Sequence, residues 1–347
     1  MSGGEAVVRK PLALTMGDPA GIGLEIALFA WQQRNERGIG SFALYGDPEA
    51  VQARARLLGR KVPIATIETA AAAAQNFATA LPVVVIRQRV EAHPGRPDPA
   101  NAGAVIHAIE EATAAVVRGE AAAIVTNPIA KSVLHQAHFR HPGHTEFLGA
   151  LAEHHFPGRR FHPVMMLASD ELRVVPLTVH VALTEVPRLV TRTLILDVVR
   201  STWQALRSDF GIAAPRIAIA GLNPHAGEDG SMGYEERDTI RPAVAELRSE
   251  GLLVSGPHPA DTLFHAGARR GYDAVVAMYH DQALIPLKTL AFDSGVNVTI
   301  GLPFVRTSPD HGTAFDIAGQ GRASPDSLIA ALRMAESMAA RRAGTPR

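Results

Sequence analysis

Three histidines each follow a short apolar run that is typical of a buried strand. They are His180 after Val174–Thr178, His225 after Ile217–Ala220, and His280 after Ala274–Met278. In a parallel sheet, ligands bind beyond the carboxyl ends of the strands, and zinc held by three histidines with one open position is a familiar catalytic site. The three imidazoles are therefore candidate metal ligands. A lone histidine is more often structural or solvated, and only the fold or a subunit interface can bring residues this far apart in sequence together.

The segment from Pro257 to Gly321 holds the densest set of side chains that could do chemistry. They are Asp261, His280, Asp281, Lys288, Asn297, Arg306, Asp310, His311 and Asp316. Lys288 and Arg306 supply fixed positive charge in a chain whose formal net charge is zero, and arginine suits bidentate binding of phosphate or carboxylate. The segment predicts a site for an anionic ligand, although an ordinary ion-pair network would use the same residues.

Two further segments follow apolar runs and contain glycine. Gly143-His-Thr-Glu-Phe147 combines backbone amides with the side chains of His144 and Thr145, which suits an oxyanion or phosphate. A helix start capped by Thr145 is the alternative. Thr15–Glu25 contains Gly17, Gly21 and Gly23, but not the G-x-G-x-x-G spacing of a dinucleotide fold. A tight turn between strand and helix explains that segment equally well.

The composition excludes several classes of protein. The chain has 347 residues and no cysteine, which rules out disulfides, thiolate metal sites and cysteine nucleophiles. Basic and acidic residues number 34 each, so no net charge favours nucleic acid or an anionic membrane. No uncharged apolar run reaches the roughly 20 residues that span a bilayer, and Met1–Lys10 lacks the apolar core of a secretory signal. We therefore expect a cytoplasmic protein that binds neither nucleic acid nor a membrane.

The elements that must position these residues alternate along the chain. Nine short apolar runs, from Leu12–Thr15 to Val296–Ile300, are separated by helical patterns. The clearest of these patterns are Ala102–Val117, Leu189–Leu206, Glu235–Arg248 and Pro325–Ala340. Alternation of this kind predicts an α/β fold with a mainly parallel sheet.

The motifs together resemble a known enzyme family. The segments that carry the resemblance are Met16–Gly23, Thr126–Lys131, Gly143–Phe147, Met165–Ala168, Gly221–Glu228, Pro259–Phe264, Ala277–Gln282, Gly301–Ser308 and Asp310–Ala314. In this order, over nearly the whole chain, they resemble 4-hydroxythreonine-4-phosphate dehydrogenases of vitamin B6 biosynthesis.

The resemblance implies a two-domain α/β/α fold similar to isocitrate and isopropylmalate dehydrogenases. It further implies a homodimer with the active site in the interdomain cleft at the dimer interface. On this basis residues 1–145 and 290–347 would form the cofactor-side domain. Residues 146–289 would form the domain of the metal and of dimerisation.

The resemblance also implies roles for individual residues. A divalent metal (zinc, cobalt or magnesium) would be held by His180, His225 and His280, the last donated across the dimer. Substrate contacts would be His144, Thr145, Asp261, Lys288, Asn297 and Arg306. Independently of the resemblance, their place in the Pro257–Gly321 segment makes Lys288 and Asp281 the candidates for the catalytic base. His311-Gly312-Thr313-Ala314 and Asp316 resemble the loop that binds the adenine of the cofactor, NAD or NADP.

The implied reaction is oxidation of 4-phosphooxy-L-threonine at C3, with hydride transfer to the nicotinamide. Decarboxylation would then give 3-amino-2-oxopropyl phosphate. Within the same family, a dehydrogenase of another phosphorylated hydroxy acid or of a dihydrodiol carboxylate is the alternative. A non-catalytic metal-binding or phosphate-binding module is a further alternative, but no proposed ligand residue is missing.

Overall fold

The computed structural model describes residues 10–141 and 143–344, so the N-terminal segment Met1–Arg9 and the end of the C-terminal tail lie outside the described residues. The strands are β1 Leu12–Thr15, β2 Phe42–Gly46, β3 Ile64–Ile67, β4 Leu81–Val85, β5 Ile124–Thr126, β6 Val164–Ala168, β7 Arg173–Pro176, β8 Arg216–Ala220, β9 Leu253–His258, β10 Ala274–Ala277, β11 Val296–Ile300 and β12 Arg306–Pro309. The helices are α1 Gly23–Gln32, α2 Pro48–Leu57, α3 Ala73–Asn76, α4 Ala102–Val117, α5 Lys131–Gln136, α6 His144–His155, α7 Val186–Leu189, α8 Arg192–Ser208, α9 Arg241–Ser249, α10 Ala266–Arg269, α11 His280–Ala291 and α12 Asp326–Gly344.

The first compact unit comprises residues 1–160 and 303–340. Its strands are all parallel, in the order β3-β4-β2-β1-β5-β12. The central strands β1 and β2 are buried along their whole length, as expected where helices cover both faces of a parallel sheet. α2 begins cleanly because the Asp47 side chain accepts a hydrogen bond from the Glu49 amide (2.8 Å) and Pro48 suits the first turn.

The second unit comprises residues 161–302 and 341–347. Its strand order is β11-β6-β7-β10-β8-β9. The pairs β11/β6 and β6/β7 are antiparallel, whereas β7, β10, β8 and β9 run parallel to one another. Its core contains buried residues of four strands, such as Leu167, Val174, Ala218 and Val275, together with Leu287 of α11.

The α/β class with mainly parallel strands is confirmed by this arrangement. The two units change over at 160/161 and 302/303, later in sequence than the boundaries expected at 145/146 and 289/290. α6 groups with the first unit because it packs against α4. No helix among the described residues is long and apolar enough to cross a membrane.

Candidate functional site

The three histidines predicted as metal ligands follow three neighbouring parallel strands of the second unit. His180 comes after β7, His280 after β10 and His225 after β8, and β10 pairs with both of the others. Side chains tie these strand ends together. The Thr178 hydroxyl donates to the Met278 carbonyl (2.9 Å), and the Gln282 amide donates to the Gly221 carbonyl (2.8 Å). The strand ends therefore form a connected edge.

Two of the three histidines lie together within one chain. The ring centroids of His180 and His280 are 5.7 Å apart, and Nδ1 of His280 is 2.7 Å from Oδ1 of Asp281. A carboxylate that accepts from Nδ1–H fixes the tautomer and leaves Nε2 able to bind a metal. This pair therefore fits two positions of a metal site.

The third histidine is not part of a three-ligand group in the single chain. The His225 side chain is 62% exposed, and its Nδ1 is 3.9 Å from the Glu228 carboxylate. Within residues 10–141 and 143–344, no three His, Asp or Glu side chains are close enough to hold a metal ion.

His225 lies in a loop with an unusual backbone. Residues 225–229 all have positive φ, between 40° and 81°, so the chain makes a left-handed turn that includes four residues other than glycine. His180 has φ of 50°. Non-glycine residues in this region are strained by about 1–3 kcal/mol each and cluster at functional sites. Strain at two of the three candidate ligands supports a functional role for both.

One buried carboxylate, that of Glu236, holds the His225 loop in place. Oε1 of Glu236, which is 2% exposed, accepts from the Asn223 amide (2.7 Å), and its Oε2 accepts from the Asn223 side chain (2.9 Å). A Cβ on Gly227 would come within 2.6 Å of the same Oε2. The turn that carries His225 is therefore packed tightly against the Glu236 side chain.

The candidate bases lie on one face of α11. His280, Leu284 and Lys288 form one row of this face, and Asp281, Ile285 and Thr289 the next. Together they line an open hollow of about 480 Å³. Nζ of Lys288 is 5.7 Å from the Phe292 ring centroid. The structure thus places both candidate bases and one candidate metal ligand on the same surface.

The two remaining predicted contacts of the second unit lie in different places. Asn297 is on β11, and its Oδ1 is shielded from solvent without a hydrogen-bond partner among the described residues. Buried polar atoms of this kind are rare and usually meet a ligand or water. Asp261 is exposed on the short turn Ala260–Thr262, which contacts the His225 loop.

The first unit holds the predicted anion contacts. Arg306 on β12 is only 3% exposed and donates to the Thr126 hydroxyl at 2.7 Å. Burial lowers its pKa to about 10, which still leaves it charged at neutral pH. His144 and Thr145 form the first turn of α6, where free backbone amides favour negative charge. Oxyanion binding is the chemistry that this group can perform.

His144 is held in its neutral form. Burial, followed by the charges of Arg306 and Lys131, places its pKa well below 6.5. Its Nε2 is shielded and has no hydrogen-bond partner among the described residues. A neutral imidazole can donate to a substrate oxygen without adding charge.

Lys131 is a residue of this group that sequence reasoning missed. A Cβ on Gly143, which precedes α6, would lie 3.0 Å from Cε and 3.2 Å from Nζ of Lys131. In the sequence, Lys131 only ends the Thr126–Lys131 segment directly after β5, and nothing local relates it to Gly143.

A buried ion pair, Glu25 with Arg54, anchors the C-terminal end of the predicted cofactor loop. Oε2 and Oε1 of Glu25 accept from the Gly319 and Gly321 amides, at 2.8 Å each. Arg54 lies 3.7 Å from the same carboxylate and donates to the Gly21 carbonyl. Both side chains are nearly inaccessible to solvent, with exposures of 0% and 1%. The glycine-containing end of the loop is therefore rigidly anchored.

The other end of the loop leaves room for a ligand. The Thr313 carbonyl accepts from the Ile22 amide (3.0 Å), and Ala314 has a φ of 44°. His311 is half-buried, whereas Gly312 and Asp316 are exposed. A Cβ on Gly312 would meet no atom within 4 Å, so the backbone is open to close approach. Residues 311–316 therefore present an accessible backbone at Gly312.

Comparisons with known proteins agree on one family. Residues 39–335 match the family model described as pyridoxal phosphate biosynthetic protein PdxA. The chain is 59% identical to the 4-hydroxythreonine-4-phosphate dehydrogenase of Methylorubrum populi, over 96% of this chain and 95% of that one.

Solved structures give the same result. A 4-hydroxythreonine-4-phosphate dehydrogenase from Klebsiella pneumoniae superposes with a TM-score of 0.82 at 36% identity, covering 96% of this chain and 99% of that one. A terephthalate 1,2-cis-dihydrodiol dehydrogenase from Burkholderia xenovorans gives 0.62 at 28% identity, covering 95% and 98%. The chain belongs to the PdxA family of pyridoxal phosphate biosynthetic proteins.

Proposed function

We propose that the protein is a 4-hydroxythreonine-4-phosphate dehydrogenase. It oxidises the C3 hydroxyl of 4-phosphooxy-L-threonine, and loss of carbon dioxide then gives 3-amino-2-oxopropyl phosphate. The observation that carries the proposal is the oxyanion group of the first unit, which combines buried Arg306 with His144 and Thr145 in the first turn of α6. This group suits the phosphorylated substrate that the name of the 59% identical relative implies.

A nicotinamide cofactor, NAD or NADP, is part of the proposal. When bound, it accepts the hydride from C3. Residues 311–314 and Asp316 would hold it, since their loop is open at Gly312 and anchored by Glu25. The buried carboxylate of Glu25 fixes the loop through two backbone amides, which reduces the ordering that binding requires.

A divalent metal, whether zinc, cobalt or magnesium, is the second proposed group. When bound, it lowers the pKa of the substrate hydroxyl and stabilises negative charge on the oxygen. His180, His225 and His280 would hold it. Asp281 orients the His280 ring, so Lys288 on the same helix face is the better candidate to take the proton from the hydroxyl.

The metal site is proposed to be shared between two copies of the chain. Large apolar side chains are exposed beside the candidate ligands, including Leu183 (67%), Ile285 (63%) and Phe292 (74%). Exposed apolar patches mark protein interfaces. Because His180 and His280 lie together in one chain, His225 is the ligand that we expect the second copy to supply. The resemblance suggested His280 for that role.

A second function within the family is the oxidation of a dihydrodiol carboxylate. The 28% identity and TM-score of 0.62 to the terephthalate dihydrodiol dehydrogenase favour this alternative. Either activity belongs to the cytoplasm in our proposal, where nicotinamide cofactors and phosphorylated intermediates are available.

The deciding experiment follows nicotinamide reduction by the purified protein with 4-phosphooxy-L-threonine, before and after chelation. We expect turnover that disappears with chelator and returns with zinc or cobalt. Turnover of a dihydrodiol carboxylate but not of the phosphorylated substrate would replace the proposal with the second function. No turnover of either, with metal bound, would contradict both.

A further inference from the structure

We infer that Lys131 is a phosphate contact that makes the enzyme select a phosphorylated substrate over an unphosphorylated hydroxy acid. The inference rests on the proposed function, because it assigns a new residue to the same oxyanion group. Lys131 is the first residue of α5 and follows β5 after a short connection. This connection brings it to the carboxyl end of a strand that pairs with the strand of Arg306.

The end of the Lys131 side chain approaches Gly143 closely, although the residue as a whole is exposed. Cε and Nζ would lie 3.0 and 3.2 Å from a Cβ built on Gly143. The φ of Gly143 is −178°, which any residue can adopt, so the backbone conformation does not require glycine at this position. The close approach of the lysine explains the glycine instead.

Two positively charged side chains lie near the N-terminus of α6. A cation beside the N-terminus of a helix meets the positive end of the helix dipole. Arg306 adds a second positive charge, and both charges disfavour protonation of His144. Oε2 of Glu146 lies 3.5 Å from the same Gly143 Cβ position, so one carboxylate faces two cations. An anion bound here offsets the remaining repulsion.

The charge of the group matches phosphate better than carboxylate. A phosphate monoester carries about −1.5 to −2 at neutral pH and three acceptor oxygens, whereas a carboxylate carries one negative charge. Arg306 alone balances a carboxylate. The ammonium of Lys131 adds a second positive charge that a dianion can use, although the Glu146 carboxylate offsets part of it.

The sequence uses lysine sparingly, which gives this residue more weight. Only Lys10, Lys61, Lys131 and Lys288 occur in the whole chain, whereas the other 30 of its 34 basic residues are arginine. A lysine ammonium is a compact point charge, and arginine is a broad planar group. Either group can donate to a phosphate oxygen, so the position requires the positive charge.

The first test measures binding of inorganic phosphate by calorimetry, without substrate turnover. Charge-assisted hydrogen bonds contribute enough that Lys131→Met should weaken phosphate binding by roughly tenfold or more. Lys131→Arg keeps the charge and should stay within about threefold of the parent protein. Lys61→Met, at an exposed position, is the matched control and should leave binding unchanged. Equal phosphate affinity of Lys131→Met and the parent protein would overturn the inference.

A second variant tests the geometry. Gly143→Ala places a methyl group 3.0 Å from Cε and 3.2 Å from Nζ of Lys131, so the ammonium must shift and phosphate binding should weaken. The double variant should then be no weaker than Lys131→Met, because both substitutions act on the same contact. Fully additive losses would show that the lysine is not held over Gly143 and would overturn the inference.

Turnover separates this inference from the proposed function. With 4-phosphooxy-L-threonine, Lys131→Met should raise KM by roughly tenfold with little change in kcat, since binding in the ground state is lost. If the parent protein binds phosphate through Lys131 but does not oxidise this substrate, the proposed function fails and the phosphate contact stands. If the parent protein oxidises it and Lys131→Met has an unchanged KM, the inference fails and the proposed function stands.

Discussion

His144 is surrounded by conditions that disfavour its protonation. Nε2 of the ring is shielded from solvent, and Arg306 and Lys131 add positive charge nearby. A neutral His144 ring can donate one hydrogen bond to a substrate oxygen, and the positive charges of Arg306 and Lys131 can balance the negative charge of the substrate. In the proposed site, His144 would therefore orient the anion, and Arg306 and Lys131 would neutralise it.

The low pKa of His144 predicts a pH dependence of stability. In the unfolded chain the imidazole takes up a proton as the pH falls through about 6.5, whereas the folded protein resists protonation. The contribution of His144 to the free energy of unfolding is therefore complete above about pH 6.5 and is lost as the pH falls below that value. When the pH falls from about 7.5 to about 5.5, the free energy of unfolding of the parent protein should therefore decrease by roughly 1 kcal/mol more than that of His144→Asn.

Urea denaturation at both pH values measures this difference. His155 and His258, whose pKa values burial also lowers, contribute equally to both proteins. Equal losses of stability in the two proteins would mean that His144 titrates normally.

The role of Lys288 can be decided by kinetics. If Lys288 takes the proton from the C3 hydroxyl, Lys288→Met should lower kcat by about 10²- to 10⁴-fold, since general-base catalysis is worth that much. Asp281→Asn should act mainly through metal affinity, because Asp281 orients His280. A Lys288→Met enzyme with unchanged kcat and a raised KM would be missing a binding residue and not a base.

At the scale of elements, the left-handed turn that carries His225 is the most constrained part of the candidate site. Gly227→Ala would place a Cβ at a φ of 81° and within 2.6 Å of the Glu236 carboxylate. The positive φ costs about 1–2 kcal/mol, and the clash adds about 1–3 kcal/mol. The turn should shift, and with it His225, so zinc binding should weaken as well as stability.

The chain provides a matched control for this variant. Gly251 has a φ of 86°, and a Cβ there would meet no atom within 4 Å. Gly251→Ala should therefore show the conformational cost alone and leave zinc affinity unchanged. Denaturation and zinc calorimetry on both variants measure the two effects. Similar results for both variants would show that contact with Glu236 does not constrain the turn.

Much of the architecture could be read from the sequence because apolar runs of four or five residues form buried parallel strands. β1, β11 and α4 begin and end at the predicted residues. β12 was missed because its residues are polar. Arg306 and Thr307 are buried there through hydrogen bonds to Thr126 and Ala331, which no local pattern reveals.

Two other differences have similar physical causes. β9 contains Gly256-Pro257, which normally ends a strand. The helix predicted at Glu235–Arg248 is divided into a π-helical turn, Glu236–Ile240, and α9. That turn carries Glu236, whose bonds to Asn223 hold the His225 loop. The pairing of β9 with β8 and the bonds from Asn223 to Glu236 are long-range interactions, which local sequence preference does not reveal.

The candidate site was predictable to a similar extent. Strand ends identified His180, His225 and His280 as neighbours because their strands pair in the sheet. Lys131 was missed because its importance depends on the missing side chain of Gly143. Such a relation between residues in different segments exists only once the chain is folded.

At the scale of the whole molecule, the proposed sharing of the metal site can be tested by mixing inactive variants. We expect His225→Ala and His280→Ala each to be inactive, and their unfolded mixture to regain about a quarter of the parent activity on refolding. Random pairing makes half of the dimers mixed, and each mixed dimer has one of two sites intact. Sedimentation of each variant alone should give the same dimer.

A second mixture identifies which histidine crosses. If His180 and His280 act from one chain, as their 5.7 Å separation suggests, mixing His180→Ala with His280→Ala should recover no activity. Recovery in that mixture would mean that the two ligands come from different copies. Activity in neither mixture would contradict sharing of the site.

The positive φ values of His180 and His225 strain the backbone, so histidine at these positions lowers stability while it supplies the imidazoles of the proposed metal site. Glycine adopts this conformation without strain, so replacing either histidine by glycine relieves the backbone while removing the imidazole. If the two histidines bind the metal as proposed, selection for heat resistance alone would favour glycine at both positions and would remove that site while keeping the fold. On the same condition, histidine at both positions reflects binding retained at the expense of stability.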